Sequence, residues 1–246
     1  MNIKILGVRI DEVNLDKTLD FIKKTITSNY QAQIATINPE FLVAAYYDQE
    51  FKSIINSCAL NTCDGFGLML IAKIFYKKNL SRTTGVEITE KLLQGTNKLF
   101  LLGSTSEVLE AIVKKFPQTP IVGIEAGGVM VFKNGNWQLE NNELVLKKIN
   151  NSGAEILLAA FEYGKQEKWL AQNLKKLPNI KIAIGVGGTF DYLSEKIKRA
   201  PAWMRKLGLE WLFRLIKQPQ RWPRIIKATI IFPYLAIKEK IFQKYV

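Results

Sequence analysis

The sequence predicts an α/β fold: a mostly parallel sheet with helices on both faces, followed by a C-terminal basic, amphipathic helical appendage. Two observations carry this expectation. Short apolar runs alternate with helix-periodic stretches down to about residue 190, the pattern of right-handed βαβ units. Charge then changes abruptly. Residues 196–246 hold 13 Lys/Arg against 2 Asp/Glu, whereas the first 195 hold 22 against 20. A Rossmann-like body over 1–195 and an appendage over 196–246 are therefore the expected domains.

Each element follows from local pattern. Ile3 to Val8 is apolar enough for a buried strand, and Leu15, Leu19, Ile22 and Ile26 mark a helix over 15–26. Gln33 to Ile37 reads as a strand, and Pro39 opens a helix with Phe41, Leu42 and Ala45. Ala59 to Cys63 is a strand running into Asp64-Gly65-Phe66-Gly67, with helices over 68–76 and 86–93 after it. Leu99 to Leu102 predicts a strand, about 107–116 a helix, and Ile121 to Gly123 a strand. Asn134-Gly135 between Phe132 and Trp137 signals a hairpin within 129–139. Helices over 144–149 and 166–174 and strands over 155–161 and 180–186 complete the body.

In the tail, Pro201 suits a first helical position, and Leu209, Leu212, Phe213 and Ile216 form one apolar face. Arg214, Lys217, Arg221 and Arg224 recur every three or four residues beside Trp203, Trp211 and Trp222. Pro219 and Pro223 preclude one straight helix through them, since proline lacks a backbone donor and clashes with the preceding turn. Ile225 to Ile237 is greasy, but it contains Lys227 and Pro233 and is shorter than the roughly 17–25 residues a membrane span needs. It suits an interface rather than a crossing.

Composition narrows the chemistry. Net charge is +13 and concentrated in the tail, so an anionic partner is expected: nucleic acid, an anionic membrane or a phosphorylated substrate. The chain has no histidine, which excludes Ser-His-Asp and Cys-His nucleophile systems and disfavours a transition-metal site. Base catalysis would fall to a carboxylate and charge stabilisation to Arg or Lys. Two cysteines make no disulfide framework and point to a reducing compartment. The N-terminus has neither a long apolar run nor a cleavage pattern, so no signal peptide is expected.

In open parallel sheets ligands bind at the carboxyl ends of strands. Four such ends are polar or Gly-rich here: Thr36 to Glu40, Asp64 to Gly67, Gly103-Ser104, and Gly185 to Asp191. By spacing alone Asp64 is a helix N-cap slightly more readily than a catalytic carboxylate. Gly185, Gly187 and Gly188 suggest a phosphate turn, but Phe190 breaks GxGxxG, so no dinucleotide site is inferred. Lys165-Gln166-Glu167-Lys168-Trp169 could hold an anion at a helix N-terminus or simply be a solvated helix start.

Together these segments resemble the WecG/TagA/CpsF family of bacterial glycosyltransferases. The matching residues are Thr36-Ile37-Asn38-Pro39-Glu40, Asp64-Gly65-Phe66-Gly67, Arg82 with Gly85, and Leu101-Leu102-Gly103. Lys165 to Trp169, Gly185 to Asp191, and the 199–221 block with Gly208-Leu209-Glu210-Trp211-Leu212 extend the match. The resemblance implies inverting transfer of an N-acetylmannosamine-type sugar from a UDP donor to polyprenyl-diphosphate-linked N-acetylglucosamine, feeding teichoic acid linkage or other surface polysaccharides. It implies Asp64 as general base. Thr36, Asn38, Arg82, Gly103, Lys165, Gln166, Gly187 and Asp191 would bind substrate, joined by Arg214, Arg221 and Arg224 from an appendage closing over the diphosphate. No metal or other cofactor is implied, and no DxD stands where a metal-dependent enzyme would hold an ion. The implied partners are the UDP-sugar, the lipid-linked acceptor and the anionic inner leaflet, with a homo-oligomer allowed and no nucleic acid. The implied location is cytoplasmic, peripheral on the membrane. Departures at Glu162-Tyr163-Gly164, Ile124 to Gly128 and Glu87 lie around the expected donor pocket, so a different UDP-sugar stays open. A basic-tailed RNA- or anionic-lipid-binding protein without catalysis is the reading from another class.

Overall fold

A computed structural model describes residues 1–133 and 135–242. Asn134 of the expected hairpin turn and residues 243–246 of the expected appendage lie outside them. The chain runs β1 (Asn2–Ile5), β2 (Val8–Asp11), α1 (Leu15–Ile26), β3 (Ala32–Ile37), α2 (Pro39–Tyr47), α3 (Gln49–Ser57), β4 (Leu60–Cys63), α4 (Phe66–Tyr76) and α5 (Gly85–Leu93). There follow β5 (Leu99–Gly103), α6 (Ser106–Lys115), β6 (Ile121–Glu125), β7 (Met130–Lys133), β8 (Asn136–Leu139), α7 (Asn142–Ser152), β9 (Ile156–Ala160) and α8 (Lys165–Asn173). Last come β10 (Ile182–Gly185), α9 (Thr189–Leu193), α10 (Ala202–Lys206), α11 (Glu210–Lys217), α12 (Trp222–Ile226) and α13 (Phe232–Phe242).

Six strands form one sheet in the order β4-β3-β10-β9-β5-β6, every neighbouring pair parallel. The α/β expectation holds, with helices on both faces. Strand alternation divides the core. Ile34, Leu101, Leu158 and Ile184 point to one face, under α1, α5, α6 and α9. Their neighbours in sequence point to the other: Ala35 and Ile37 meet α2, α3 and α4, while Phe100, Leu102, Leu157 and Ala183 meet α7 and α8. Strands buried on both faces read as continuous apolar runs, which is why β5, β9 and β10 are legible; β3 is equally buried but carries Gln33 and Thr36.

Two elements depart from expectation. The segment expected as one strand over Ile3 to Val8 spans the end of β1, a two-residue turn and the start of β2, which pair as an antiparallel hairpin. Leu6 and Gly7 adopt φ of +52° and +75°, the left-handed pair that a two-residue hairpin needs. Helix α3 went unpredicted, although Asp48 caps it by accepting from Phe51 N at 2.9 Å.

The tail is broken as the prolines require. Helix α11 ends before Pro219, and Pro223 sits in the first turn of α12, where its missing donor is harmless. Pro201 is the N-cap residue of α10 rather than its first helical residue. Ahead of Pro233 the chain takes a π turn over 227–231, then continues into α13. Phe232, Leu235 and Ala236 from this stretch are buried in the same core cluster as β1, β2, α2 and α4, so the last helix is packed into the body. Among the described residues no helix is long and apolar enough to cross a membrane.

Candidate active site

A cleft of about 450 Å³ opens at the carboxyl ends of β3, β4, β5, β9 and β10 and is closed on one side by the tail. Chain direction explains its place. From β3 the chain moves outward to β4, from β5 it moves outward the other way to β6, and β9 and β10 later fill the space between. Loops leaving neighbouring strands in opposite directions leave a crevice. Thr36, Asn38, Asp64, Gln166, Gly187, Asp191, Arg214, Arg221 and Arg224 all line it.

Asp64 follows β4 directly. It does not cap the helix after it: the N-cap of α4 is Gly65, with no side-chain hydrogen bond. The Asp64 carboxylate instead accepts from Gly85 N, at the start of α5, at 3.3 Å. The capping alternative is thereby set aside for α4. Surrounding protein strips water from the carboxyl and pushes its pKa up from 3.8 to about 6. The Arg82 charge and the Gly85 bond oppose that rise, Glu210 reinforces it, and Arg214 opposes it. The group is thus ionised at neutral pH yet basic enough to accept a proton.

The three tail arginines enter from α11, from the short 3₁₀ turn over Pro219–Arg221, and from α12. Arg214 lies over the Tyr192 ring at 4.8 Å. Arg224 lies over Tyr163 at 5.1 Å, and its Nε pairs with Glu40 at 2.6 Å. Arg221 makes no ion pair among the described residues. Burial lowers its pKa first, and repulsion from Arg224 and Arg214 lowers it further. Three crowded guanidiniums, of which only Arg224 is ion-paired among the described residues, form a ready cradle for a polyanion such as a diphosphate.

Gln166 ties two strand ends together. Its Oε1 accepts from Phe161 N at 3.0 Å and Gly187 N at 3.2 Å, and its Nε2 donates to Glu167 at 2.6 Å. Gly185 permits this approach, because a Cβ there would meet Glu167 Oε1 at 2.4 Å and Gln166 Nε2 at 2.6 Å. Glu167 also accepts from Gly164 N at 2.7 Å. Burial without a cation pushes the Glu167 carboxyl up to about 7. Thr36 donates to Gly185 O at 3.4 Å, and Asn38 caps α2 by accepting from Phe41 N at 3.1 Å.

Three of the expected substrate-binding residues stand back from the cleft wall. Arg82 lies behind Asp64 and pairs with Glu210 on α11 at 2.7 Å. Lys165 pairs with Glu162 at 2.7 Å and sits over the Trp137 ring at 4.6 Å. Gly103 packs against the Ala160 backbone, and its neighbour Ser104 lines the cleft in its place. Glu40, Tyr163, Tyr192 and Glu210 are the additions. Glu40 and Glu210 stand inside quoted motifs and could have been singled out there. The two tyrosines carry no pattern of their own, since a ring beneath an arginine depends on chain segments meeting in space.

The profile of the glycosyl transferase WecG/TagA/CpsF family matches residues 3–245. A Bacillus subtilis (strain 168) protein named N-acetylglucosaminyldiphosphoundecaprenol N-acetyl-beta-D-mannosaminyltransferase is 32% identical over 222 residues, covering 87% of this chain and 82% of that one. A protein of the same name from Bacillus spizizenii is 28% identical over 228 residues, covering 85% and 84%. Matched by the family profile over residues 3–245, and 32% identical to the Bacillus subtilis protein over most of both lengths, the chain belongs to the WecG/TagA/CpsF family of glycosyltransferases.

Proposed function

We propose that the protein transfers an N-acetylmannosamine-type sugar, with inversion, from a UDP donor to N-acetylglucosamine carried on a polyprenyl diphosphate, at the cytoplasmic surface of the membrane. The relatives' names supply the sugar and the acceptor class. The observation that carries the mechanism is the meeting of Asp64 with Arg214, Arg221 and Arg224 in one cleft. Asp64 takes the acceptor hydroxyl's proton as that oxygen bonds the sugar's anomeric carbon, a contribution of about 10²–10⁴-fold in rate. The bond from that carbon to the UDP oxygen breaks on the opposite side, which inverts the centre. The departing diphosphate takes up negative charge, which the three guanidiniums stabilise.

Membrane attachment is supported by the make-up of the tail. Trp203, Leu207, Trp222, Ile230 and Tyr234 are exposed in a segment rich in Lys and Arg. Such a segment suits the headgroup boundary, where each cation adds about 1 kcal/mol near anionic lipid. The chemistry is tested by transfer from UDP-N-acetylmannosamine to a short-chain diphosphate-linked N-acetylglucosamine. Asp64→Asn is expected to cut kcat at least 100-fold, and Arg214→Ala and Arg221→Ala to cut turnover without unfolding the protein. An Asp64→Asn variant as fast as wild type would remove Asp64 as the base. Faster turnover with another UDP-sugar would reassign the donor.

A further inference from the structure

The position of Arg82 is unexplained by the mechanism above. The 82–83 segment runs beside the end of β4: Arg82 pairs with Cys63 as an isolated parallel bridge, and Thr83 N donates to Cys63 O at 2.8 Å. This fixes a cation next to Asp64, the residue after Cys63. Left to itself, a guanidinium beside a carboxylate forms an ion pair with it, and a carboxylate so paired is a poor base. Yet Arg82 donates its Nη2 to Glu210 Oε2, 128 residues away, at 2.7 Å.

We propose that Glu210, carried on the C-terminal appendage, is a positioning residue that holds the Arg82 guanidinium on its own carboxylate and so keeps that cation from collapsing onto Asp64. The assignment rests on the reading of Asp64 as the base. Glu210 is suited to the task. Its other oxygen lies 3.6 Å from Arg199 Nε, so two arginines share one carboxylate. Burial pushes its pKa up, but the Arg82 hydrogen bond and the charges of Arg82, Arg199 and Arg214 outweigh this and keep it ionised. Glu87, the remaining acid near Arg82, is engaged in the Thr84 capping box at the head of α5. With Glu210 removed, Asp64 is the carboxylate left for Arg82.

The groups facing Asp64 are Arg82 from the 82–84 segment, Glu210 and Arg214 from α11, and Cys63 on β4. Cys63 stays neutral, because burial and the adjacent Asp64 charge push its thiol up to about 12. Burial raises the Asp64 carboxyl, and Arg82 and Glu210 are the two largest charges acting on it. Because Glu210 belongs to α11, Asp64 acquires its full basicity only with that helix docked.

The test is the pH profile of kcat/KM for wild type, Glu210→Gln, Glu210→Asp, Asp64→Asn and the double variant Arg82→Gln/Glu210→Gln. Wild type is expected to lose activity as pH falls through about 6. Glu210→Gln is expected to move that acid limb down by one pH unit or more and to lower kcat at pH 8 about tenfold, with KM for the UDP-sugar changed less than twofold. Glu210→Asp keeps the charge and is expected to recover most of the wild-type limb. In the double variant the limb returns to wild type or above, because the Arg82 cation is gone. A limb that stays low there overturns the proposal. An unmoved limb in Glu210→Gln overturns it too. If Asp64→Asn keeps both the limb and the rate, the base assignment itself fails, which is a separate outcome. Should Glu210→Gln not fold, the double variant, which leaves no unpaired Arg82, is read alone: an acid limb at or above the wild-type pH supports the proposal, and a limb below it overturns it.

Discussion

Replacing Asp64 by Asn should stabilise the protein at pH 8 while destroying activity. In the fold the carboxyl titrates at about 6 instead of the ordinary 3.8, chiefly because burial penalises its charge. An acid whose folded pKa lies above its unfolded value binds the proton more tightly when folded. Its contribution is therefore favourable at low pH, is lost as pH rises between about 4 and 6, and stays lost at pH 8. A rise of that size corresponds to about 3 kcal/mol at about 1.4 kcal/mol per pH unit. The cleft admits solvent to one side of the group, so about 2 kcal/mol is expected. Asn keeps an acceptor for Gly85 N and carries no charge. Urea denaturation of both proteins at pH 4, 5, 6, 7 and 8 reads the difference directly. It should be near zero at pH 4 and reach about 2 kcal/mol in favour of the Asp64→Asn variant by pH 7. A gain that is absent at pH 8, or equal at every pH, would refute the claim that the fold bears a desolvated charge at this position.

Three further outcomes follow from the packing. Gly103→Ala should cost about 2–4 kcal/mol, because φ is +100° and the new Cβ would sit 2.5 Å from Ala160 O on the neighbouring strand; a shift in denaturation midpoint worth under about 0.5 kcal/mol would contradict it. Phe232→Ala should cost about 3–5 kcal/mol, since the ring is fully buried, and a loss below about 1 kcal/mol would mean that α13 is not part of the core. Glu167 titrates near 7 instead of 4.5, so wild type should lose about 2–3 kcal/mol relative to Glu167→Gln as pH rises from 4.5 to 8; parallel stability curves for the two proteins would show that the buried carboxyl has no such cost.

Much of this protein is legible along the chain. Strands such as Ile156–Ala160 announce themselves because burial on both faces demands an unbroken apolar run. Helix α1 does so through its one-sided periodicity, and the tail's breaks through Pro219 and Pro223. The polar strand ends at Thr36, Asp64 and Gly187 could be gathered into one site, because a parallel sheet brings all its carboxyl ends to one edge. What failed locally did so for local reasons. Leu6-Gly7 lacks an Asn-Gly signature, so the hairpin at the N-terminus read as a single strand.

Partnership is another matter. Whether Asp64 caps a helix or faces a cleft, and whether Arg82 serves Asp64 or Glu210, depends on distances between segments far apart in sequence. Periodicity and propensity are properties of neighbours, so the chain displays them before folding. Ion pairing and desolvation are properties of the assembled interior, because the field at a carboxylate depends on every charge within a few ångströms, whichever element brought it there. The sequence alone therefore determined the layers, the strand-end site and the cationic tail. Only the tertiary structure decided which arginines confront the cleft, which are held away from it, and how basic Asp64 becomes.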